Sequence, residues 1–302
     1  MRVLTRLICP YSNHCLNKGG PYLPIKLEQI LKRVQSLPPL PTSALRVIAL
    51  TKNPSTSVKD LESVIAQDPA LTAGMLRQAN SAYYGYARRI SSLQEAIVLL
   101  GFQVTQGLAM ASAVAPLLRT DLVGYGIEQE GLWKHSLLTA MTAKRLCQHR
   151  KLPFGDVAFT AGLLHDIGKL VISIYVQQIG DFLLEKVNEA KFTYVELEEK
   201  VIGFNHATVG GYLAKTWFLP EILVSAISNH HAPSNAQSFG ELSCVIHVAN
   251  GLASLLGIGG GVDSFLNPIQ QDALDRLSLQ ENDLELLMAE LGEFIVDPTL
   301  FN

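Results

Sequence analysis

An all-α fold is predicted for this chain, because apolar residues recur at helical spacing and capping side chains stand just before those runs. The run that begins at Leu61 follows Ser57 and Asp60, which match a capping box for the first free backbone N–H groups. Signals for strands are weak, since no Asn-Gly or Asp-Gly pair separates two runs of alternating residues. We therefore expect helices from Pro24 to Leu291 and no sheet of three or more strands.

The first two helices are predicted on either side of a proline-rich break. Apolar residues from Leu27 onward fit one helical face, and the segment LPPLP ends that helix. Thr42 or Ser43 is then expected to cap the second helix, because a hydroxyl oxygen can accept from a free N–H of the first turn.

The third helix follows the capping box described above, and two further helices complete the N-terminal part. Asp68 before Pro69 marks the start of the fourth helix, since Asp accepts from first-turn N–H groups and Pro suits the first helical position. Ser92 and Glu95 repeat the capping box before the fifth helix, which is expected to end at Gly101.

More helices are predicted in the second half of the chain. The segments Leu132–Cys147, Pro220–His231 and Leu242–Leu256 have apolar residues at helical spacing. Ser278 and Glu281 match another capping box before the last apolar run.

Breaks in these patterns divide the chain into four parts. Residues 1–24 have no periodicity and are expected to form an irregular tail, residues 25–120 a small helical part, and residues 121–256 a larger helical bundle. Residues 257–302 combine a glycine-rich connector with the last helix. The glycine run Gly257–Asp263 follows a helix, so a flexible connector is favoured over a phosphate-binding loop.

The composition favours a globular, cytoplasmic protein. Apolar residues make up 48% of the chain and charged residues 17%, which allows a sizeable core. The net charge of -3 gives no basic surface for nucleic acid, so we expect no nucleic-acid partner. No apolar run is expected to span a membrane, and the start lacks the hydrophobic stretch of a signal peptide.

The 4 cysteines are scattered along the chain. Cys147 and Cys244 fall in helical apolar patterns and are expected to be buried thiols, which fits a reducing cytoplasm. Cys9, His14 and Cys15 could form half of a zinc site, but no second pair of ligands is near in sequence, so a loose tail is favoured.

Several imidazole and carboxylate side chains, with one carboxamide, interrupt the apolar helices. A buried histidine is unfavourable unless it is hydrogen-bonded or ligates an ion, and imidazole with carboxylate is a common ligand set for transition metals. These residues are His135, His165, Asp166, His206, His230, His231 and Asn250. The sequence therefore predicts one convergent site that is either a metal centre or the remains of one.

Taken singly, each histidine is more often a hydrogen-bonded core residue than a ligand. His165 and Asp166 form the strongest pair, because a buried carboxylate needs a cation and adjacent His and Asp side chains can face one ion or bridge two. Asn205 can cap the helix that His206 begins, where a neutral imidazole is favoured. The two adjacent histidines of SNHHAP would diverge by about 100° on a helix, so one can ligate while the other contacts substrate.

The order of these residues resembles the HD superfamily of metal-dependent phosphohydrolases, and most closely its HDOD branch. The resemblance covers roughly residues 25–255. It rests on LPPLPTSALRVIAL, LESVIAQDPALTAGMLRQANSAYYG and ISSLQEAIVLLGF in the first half, and on AGLLHDIGKLVI, FNHATVGGYLAKTWFLP and NHHAP in the second. It implies an all-α fold in which a small N-terminal helical part packs on an HD-like bundle.

The related HD-GYP phosphodiesterases imply two metal positions that share Asp166. The complete ligand set consists of Asp166, His206, His230 and His231. The second set consists of His135, His165 and Asp166, with Asn250 where the family pattern has aspartate. The implied cofactor is one or two divalent ions of iron, nickel, manganese or zinc. Lys169 matches a lysine that contacts substrate phosphate, so Asp166 and Lys169 are the candidate catalytic residues.

The resemblance leaves two functions open. HDOD proteins commonly lose metal ligands and resemble bacterial signalling modules. A regulatory module that acts on other signalling proteins is favoured by Asn250 and by the missing GYP signature, where the chain reads APSNAQSFGE. The alternative is an active phosphohydrolase that takes a nucleotide or another phosphate-containing ligand, which the retained histidines favour. An enzyme needs an open coordination position, whereas a structural metal site is closed.

Overall fold

A computed structural model describes residues 25–51, 53–80, 88–178, 192–259, 261, 263 and 267–295 of the chain. The predicted tail at residues 1–24, with Cys9, His14 and Cys15, lies outside these residues. Cys147 and Cys244 lie within them and are buried free thiols, as the sequence predicts.

Helices account for the regular structure of the described residues. In chain order they are α1 (Leu27–Ser36), α2 (Thr42–Thr51), α3 (Val58–Ile65), α4 (Pro69–Ala79), α5 (Leu93–Leu118), α6 (Gly131–His149), α7 (Gly155–Leu164), α8 (Lys169–Gln178), α9 (Tyr194–Ile202), α10 (His206–Thr216), α11 (Glu221–Ser228), α12 (Gly240–Leu255), α13 (Gln271–Arg276) and α14 (Glu281–Ile295). Short 3-10 turns lie at Val123–Tyr125 and Pro233–Asn235. The described residues form no strand beyond one isolated bridge between Leu122 and Ile127, so the predicted all-α fold is confirmed.

Capping side chains begin several helices where the sequence places them. The Ser57 hydroxyl accepts from the Asp60 backbone N–H at 3.3 Å, and the Asp60 carboxylate accepts from the Ser57 N–H at 2.8 Å. Asp68 accepts from the Leu71 N–H at 3.0 Å at the start of α4. Each such cap satisfies N–H groups that the first helical turn leaves free, and is worth about 1 kcal/mol.

The predicted cap of α2 is wrong. Thr42 and Ser43 both lie inside the helix, so neither can serve as its N-terminal cap. The Ser43 hydroxyl instead donates to Asp68 Oδ2 at 2.6 Å. This hydrogen bond joins α2 to the start of α4, because the same carboxylate also caps α4.

The predicted capping box before the last helix is wrong as well. Helix α14 begins at Glu281, and the Asp283 carboxylate accepts from the Gln280 backbone N–H at 2.8 Å. Ser278 has a φ of 52°, which places it in the preceding turn. The capping pair thus lies two residues further along the chain than the pattern predicts.

Two hydrophobic cores lie along the molecule, and α5 contributes to both. The N-terminal core contains apolar residues of α2 to α4 and of α5 up to Ala109. The bundle core begins with Met110 of the same helix, takes in α1 through Ile30 and Val34, and continues through α6 to α14. Gly101 has a φ of 76° and breaks the helical path of α5 within the N-terminal core.

Close packing of glycines lets the helices of the bundle approach one another. A Cβ at Gly162 in α7 would lie 2.8 Å from Ala140 Cα in α6. A Cβ at Gly168, just before α8, would collide with the His206 carbonyl oxygen at the start of α10 and lie 2.6 Å from the Gly210 N. These two contacts fix the turn between α7 and α8 against the helices on either side.

Two segments are apolar and long enough to cross a membrane by length and composition alone, which corrects the expectation that none exists. They are Leu93–Leu118 and Gly155–Gln177, whose most apolar stretches are 50% and 83% buried inside the protein. The second contains Asp166 and Lys169, which are both buried. Core helices of a globular bundle account for both segments, because their apolar residues pack in the two cores described above.

We predict a single cooperative unfolding transition, because α5 is shared between the two cores. The 2 tryptophans of the chain, Trp133 and Trp217, both lie in the bundle core, so fluorescence reports on the bundle alone. Far-ultraviolet circular dichroism reports on the helices of both cores. The two melting curves should coincide. A circular dichroism transition at lower temperature than the fluorescence transition would show that residues 25–120 unfold independently.

The substitution Gly168→Ala should destabilise the protein by about 1–3 kcal/mol, as expected when extra volume is forced into a packed interior. The matched control is Gly292→Ala in α14, where a Cβ would meet nothing within 4 Å. That change should be neutral or stabilising by up to about 1 kcal/mol, because Ala favours helix over Gly. Chemical denaturation measures both effects, and equal midpoints for the two variants would contradict the packing argument.

Candidate metal centre

Five separate segments bring their polar side chains to one buried point. His135 comes from α6, and His165 and Asp166 come from the turn between α7 and α8. His206 is the first residue of α10, and Asn250 lies in α12. Asn205 caps α10 as predicted, since its side chain accepts from the Thr208 N–H at 2.8 Å.

His230 and His231 lie in a turn and not in a helix, which corrects the predicted span Pro220–His231. Helix α11 ends at Ser228, and both histidines follow it before the 3-10 turn at Pro233–Asn235. A turn can direct two neighbouring side chains toward the same point, which helical neighbours cannot do. The ring centroids of the two histidines are accordingly 4.2 Å apart.

The Asp166 carboxylate lies at the centre of this group, and each of its oxygens faces a different set of histidines. Oδ1 is 3.2 Å from His206 Nε2 and 3.7 Å from His230 Nε2. Oδ2 is 3.4 Å from His165 Nε2 and 3.7 Å from His135 Nε2. This carboxylate therefore joins two neighbouring groups of candidate ligands, as the resemblance implies.

Each group is compact enough to hold an ion. In both, the candidate ligand atoms lie within 4.8 Å of one another. One group is Asp166, His206, His230 and His231, here called the four-ligand set. The other is His135, His165 and Asp166, here called the three-ligand set.

Hydrogen bonds to backbone carbonyls orient two of the imidazoles. His165 Nδ1 donates to the Gly162 carbonyl at 2.7 Å, and His230 Nδ1 donates to the Ile227 carbonyl at 2.7 Å. These partners assign the proton to Nδ1 and leave the Nε2 lone pair directed at the site. Such an arrangement is typical of metal-bound histidine.

Glu198 orients His206 in the same way, but with a charged partner. Its Oε2 is 2.8 Å from His206 Nδ1 and accepts from the His206 backbone N–H at 2.9 Å. The Tyr125 hydroxyl donates to Glu198 Oε1 at 2.5 Å and holds the carboxylate in place. This is the carboxylate–histidine arrangement that raises the basicity of a metal ligand.

The histidines of the site differ in their proton affinity. Burial lowers the pKa of His135 to about 4 and that of His230 to about 3, against the opposing effect of the Asp166 carboxylate. Burial and the neighbouring His230 hold the pKa of His231 well below its usual range. These three rings are neutral at pH 7 and can ligate an ion without losing a proton.

His206 is protonated at pH 7, whereas its position at a helix N-terminus predicts a neutral ring. Burial alone would lower its pKa, but the carboxylates of Glu198 and Asp166 raise the pKa to about 9. A cation bound at Nε2 would replace that proton, so metal binding and proton release are linked at this residue.

Orphaned polar atoms show that the site fits a cation. His165 Nε2 and His230 Nε2 are buried and have no hydrogen-bond partner among the described residues. A buried polar atom without a partner costs about 1–3 kcal/mol, and here two such atoms face the Asp166 carboxylate. Imidazole and carboxylate ligands match iron, nickel, manganese and zinc.

The three-ligand set is expected to bind a cation less strongly, because Asn250 supplies a neutral oxygen. His135 Nε2 is 3.0 Å from Asn250 Oδ1, so the amide takes the place at which the resemblance implies a carboxylate. A neutral oxygen attracts a divalent cation less than a carboxylate does. The structure therefore brings Asn250 to the expected position and leaves the second set with one charge fewer.

The ammonium group of Lys169 lies between two buried carboxylates. Its ammonium group is 2.7 Å from Asp166 Oδ2 and 2.7 Å from Asp263 Oδ2, and its side chain is buried. Burial alone would lower the pKa of Lys169, but these two carboxylates raise it above the usual range. Both of these charged contacts of Lys169 are internal, and its predicted role as a phosphate ligand stays a prediction.

Two carboxylates of the site were missed from the sequence. Glu198 lies in the charged run ELEEK, which is typical of a solvated helix face, but it is buried. Asp263 lies in the predicted flexible connector, but it is buried against Lys169. A capping box of Thr193 with Glu196 was a usable signal that α9 starts just before Glu198.

A cavity of about 370 Å³ opens beside the four-ligand set. Its lining includes His231, Asn205, Asn229 and Gln270, together with the carboxylates of Glu196 and Glu199. The described residues of its wall include no Lys or Arg. His231 is half-buried and lines the cavity, so the cavity meets the four-ligand set at this candidate ligand.

The substitution Glu198→Gln should weaken metal binding by about 10–100-fold, because it removes the charge that orients and polarises His206. The matched control is Glu290→Gln, which removes the charge of a carboxylate that lies 3.1 Å from His149 Nε2 and belongs to neither ligand set. Competition with a chelator measures both affinities. Equal affinities for the two variants would show that Glu198 has no role in the metal site.

Comparison with known proteins agrees with this fold. A family model described as HDOD domain matches residues 37–233. An uncharacterised protein of Treponema pallidum (strain Nichols) is 27% identical over 227 residues, which cover 73% of this chain and 43% of that protein. The chain therefore spans less than half the length of this relative.

Solved structures show the same architecture. An HDOD domain protein of unknown function from Geobacter sulfurreducens superposes with a TM-score of 0.69 at 26% identity, covering 90% of this chain and 96% of that one. A protein of Shewanella amazonensis SB2B, described provisionally as a phosphohydrolase, superposes with a TM-score of 0.68 at 24% identity and covers 90% and 95% of the two chains. The second likeness concerns the fold alone. Because the family model matches more than half of this chain, the chain belongs to the HDOD family.

Proposed function

We propose that this chain is a regulatory module of bacterial signal transduction in which a retained metal ion stabilises the site and does not perform catalysis. The observation that carries the proposal is the four-ligand set, which offers one carboxylate and three imidazoles from a largely buried position. Four protein ligands complete a tetrahedral site, and closed tetrahedral sites are typical of structural metals.

A second argument concerns charge around the site. A phosphoester substrate requires positive groups that stabilise its oxygens in the transition state. Lys169 is instead bound to two carboxylates, and the charged residues lining the cavity beside His231 are Glu196 and Glu199. This arrangement supports a regulatory function over phosphoester hydrolysis.

The second candidate function is metal-dependent phosphohydrolysis, and one observation favours it. His231 is the least buried of the four candidate ligands and lies in the wall of the cavity. If this ligand moved away from the ion, the vacated position could hold the water that an active metal site needs. Substrate would then approach through the cavity.

The partners that we propose are other signalling proteins in the cytoplasm. The support is membership of the HDOD family and the limited coverage of the Treponema pallidum relative, in which more than half of the protein lies outside the matched region. A module carried by longer proteins is consistent with a role in transmitting a signal within a larger assembly.

The experiment that separates the two functions measures metal content and hydrolysis on protein purified without an affinity tag. We expect one divalent ion per chain in the wild type and no hydrolysis of bis(4-nitrophenyl) phosphate. The variant Asn250→Asp should raise occupancy of the three-ligand set, because it restores a charged ligand. The variant His206→Ala should lose metal from the four-ligand set.

Each outcome decides between the candidates. Turnover by the wild type that is lost with His206→Ala would establish phosphohydrolysis and overturn the regulatory proposal. Wild-type protein without metal, together with no change in Asn250→Asp, would show that the site is a remnant and that the chain is an interaction module. His149→Ala serves as a control, because His149 contacts Glu290 and lies outside both ligand sets.

A further inference from the structure

The Lys169 ammonium group lies where a cation is held by two carboxylates. It is 2.7 Å from Asp166 Oδ2 and 2.7 Å from Asp263 Oδ2, and all three side chains are buried. The Tyr125 ring lies on another side, with its centroid 5.3 Å from the nitrogen. Two carboxylates and an aromatic face form a binding place for one positive charge.

Asp263 comes from the segment that follows α12, beyond the residues matched by the family model. Its approach depends on Gly261, where a Cβ would lie 2.5 Å from the Tyr125 carbonyl oxygen and 2.9 Å from Asp263 Oδ1. Asp263 Oδ1 is buried and has no hydrogen-bond partner among the described residues. One oxygen of this carboxylate therefore binds Lys169, and the other is still able to bind a cation.

The ammonium group lies on the side of Asp166 that faces the three-ligand set. Oδ2 is the oxygen near His165 and His135, whereas Oδ1 faces His206 and His230. A divalent ion at the three-ligand set would therefore share Oδ2 with Lys169. Repulsion between two cations this close is strong in a buried site, because little water is present to screen it.

We propose that Lys169 is a built-in cation, held by Asp263, that takes the place of a second divalent ion and limits the chain to one metal at the four-ligand set. Removal of Lys169 uncovers a second cation site between Asp166 Oδ2 and Asp263 Oδ2, on the side of Asp166 that faces the imidazoles of His135 and His165. This inference rests on the proposed function only in assigning the first ion to the four-ligand set.

The test compares the number of Mn²⁺ ions bound per chain in the wild type and in Lys169 variants. Mn²⁺ is the probe because its electron paramagnetic resonance spectrum distinguishes one ion from a coupled pair, and elemental analysis gives the count. We expect one ion in the wild type, two coupled ions in Lys169→Met, and one ion in Lys169→Arg, which keeps the positive charge.

The double variant Lys169→Met/Asp263→Asn tests whether Asp263 is the ligand. Loss of this carboxylate should weaken binding of the second Mn²⁺ by at least about tenfold relative to Lys169→Met, since a divalent ion loses one charged ligand. Circular dichroism shows whether each variant folds. If Lys169→Met does not fold, Lys169→Gln makes the same comparison, because Gln is also uncharged and can hydrogen-bond to Asp263.

The inference is overturned if the uncharged Lys169 variant binds no more Mn²⁺ than the wild type, or if Asp263→Asn leaves the second ion unaffected. A Lys169 that served only to bind phosphate would give the first of these results. Failure of the proposed function has a different signature, because the wild type would then hold no ion or would hydrolyse phosphodiester. The gain of an Asp263-dependent ion on removing Lys169 can be measured in either case.

Discussion

The buried negative charge of Asp166 is the constraint on which the rest of the site depends. A carboxylate taken out of water is strongly unfavourable unless cations or hydrogen-bond donors surround it. Burial would raise its pKa, but His165 and Lys169 hold the pKa of Asp166 well below its usual range, so the group stays ionised. The histidines, the lysine and the proposed metal ion can all be understood as partners that this one charge requires.

Close packing of the backbone places that charge. Because Gly162 has no side chain, Ala140 of α6 can pack against it, and Gly168 likewise lets the His206 carbonyl of α10 come close. The turn that carries Asp166 is therefore held between two helices. The same packing sets the spacing of the histidines, because those side chains start from these helices. Stability of the bundle and geometry of the site are therefore inseparable in this protein.

Much of this arrangement could be predicted from the sequence, and the exceptions have physical causes. The all-α fold and the convergence of the histidines follow from apolar periodicity and from a family motif. The sequence does not predict Glu198 as a site residue, because its neighbours are charged. Burial of a single carboxylate in such a polar run depends on tertiary packing. His230 and His231 were placed on a helix because periodicity shows where apolar residues recur but not where the last turn unwinds. The neutral His206 was expected because a helix end is visible in sequence, whereas the partner Glu198 is not.

The position of Asp263 shows that the histidine motif and the charge beside Lys169 come from different parts of the chain. The histidine motif ends at residue 231, and the family match ends at residue 233, yet a carboxylate 30 positions further along the chain binds the central lysine. A relative with every histidine in place but a different continuation after α12 would have a different electrostatic balance at its centre. The histidine motif alone would place both chains in one class. The continuation after α12 is accordingly a part of the chain where selection can change the chemistry of the site and leave its ligands untouched.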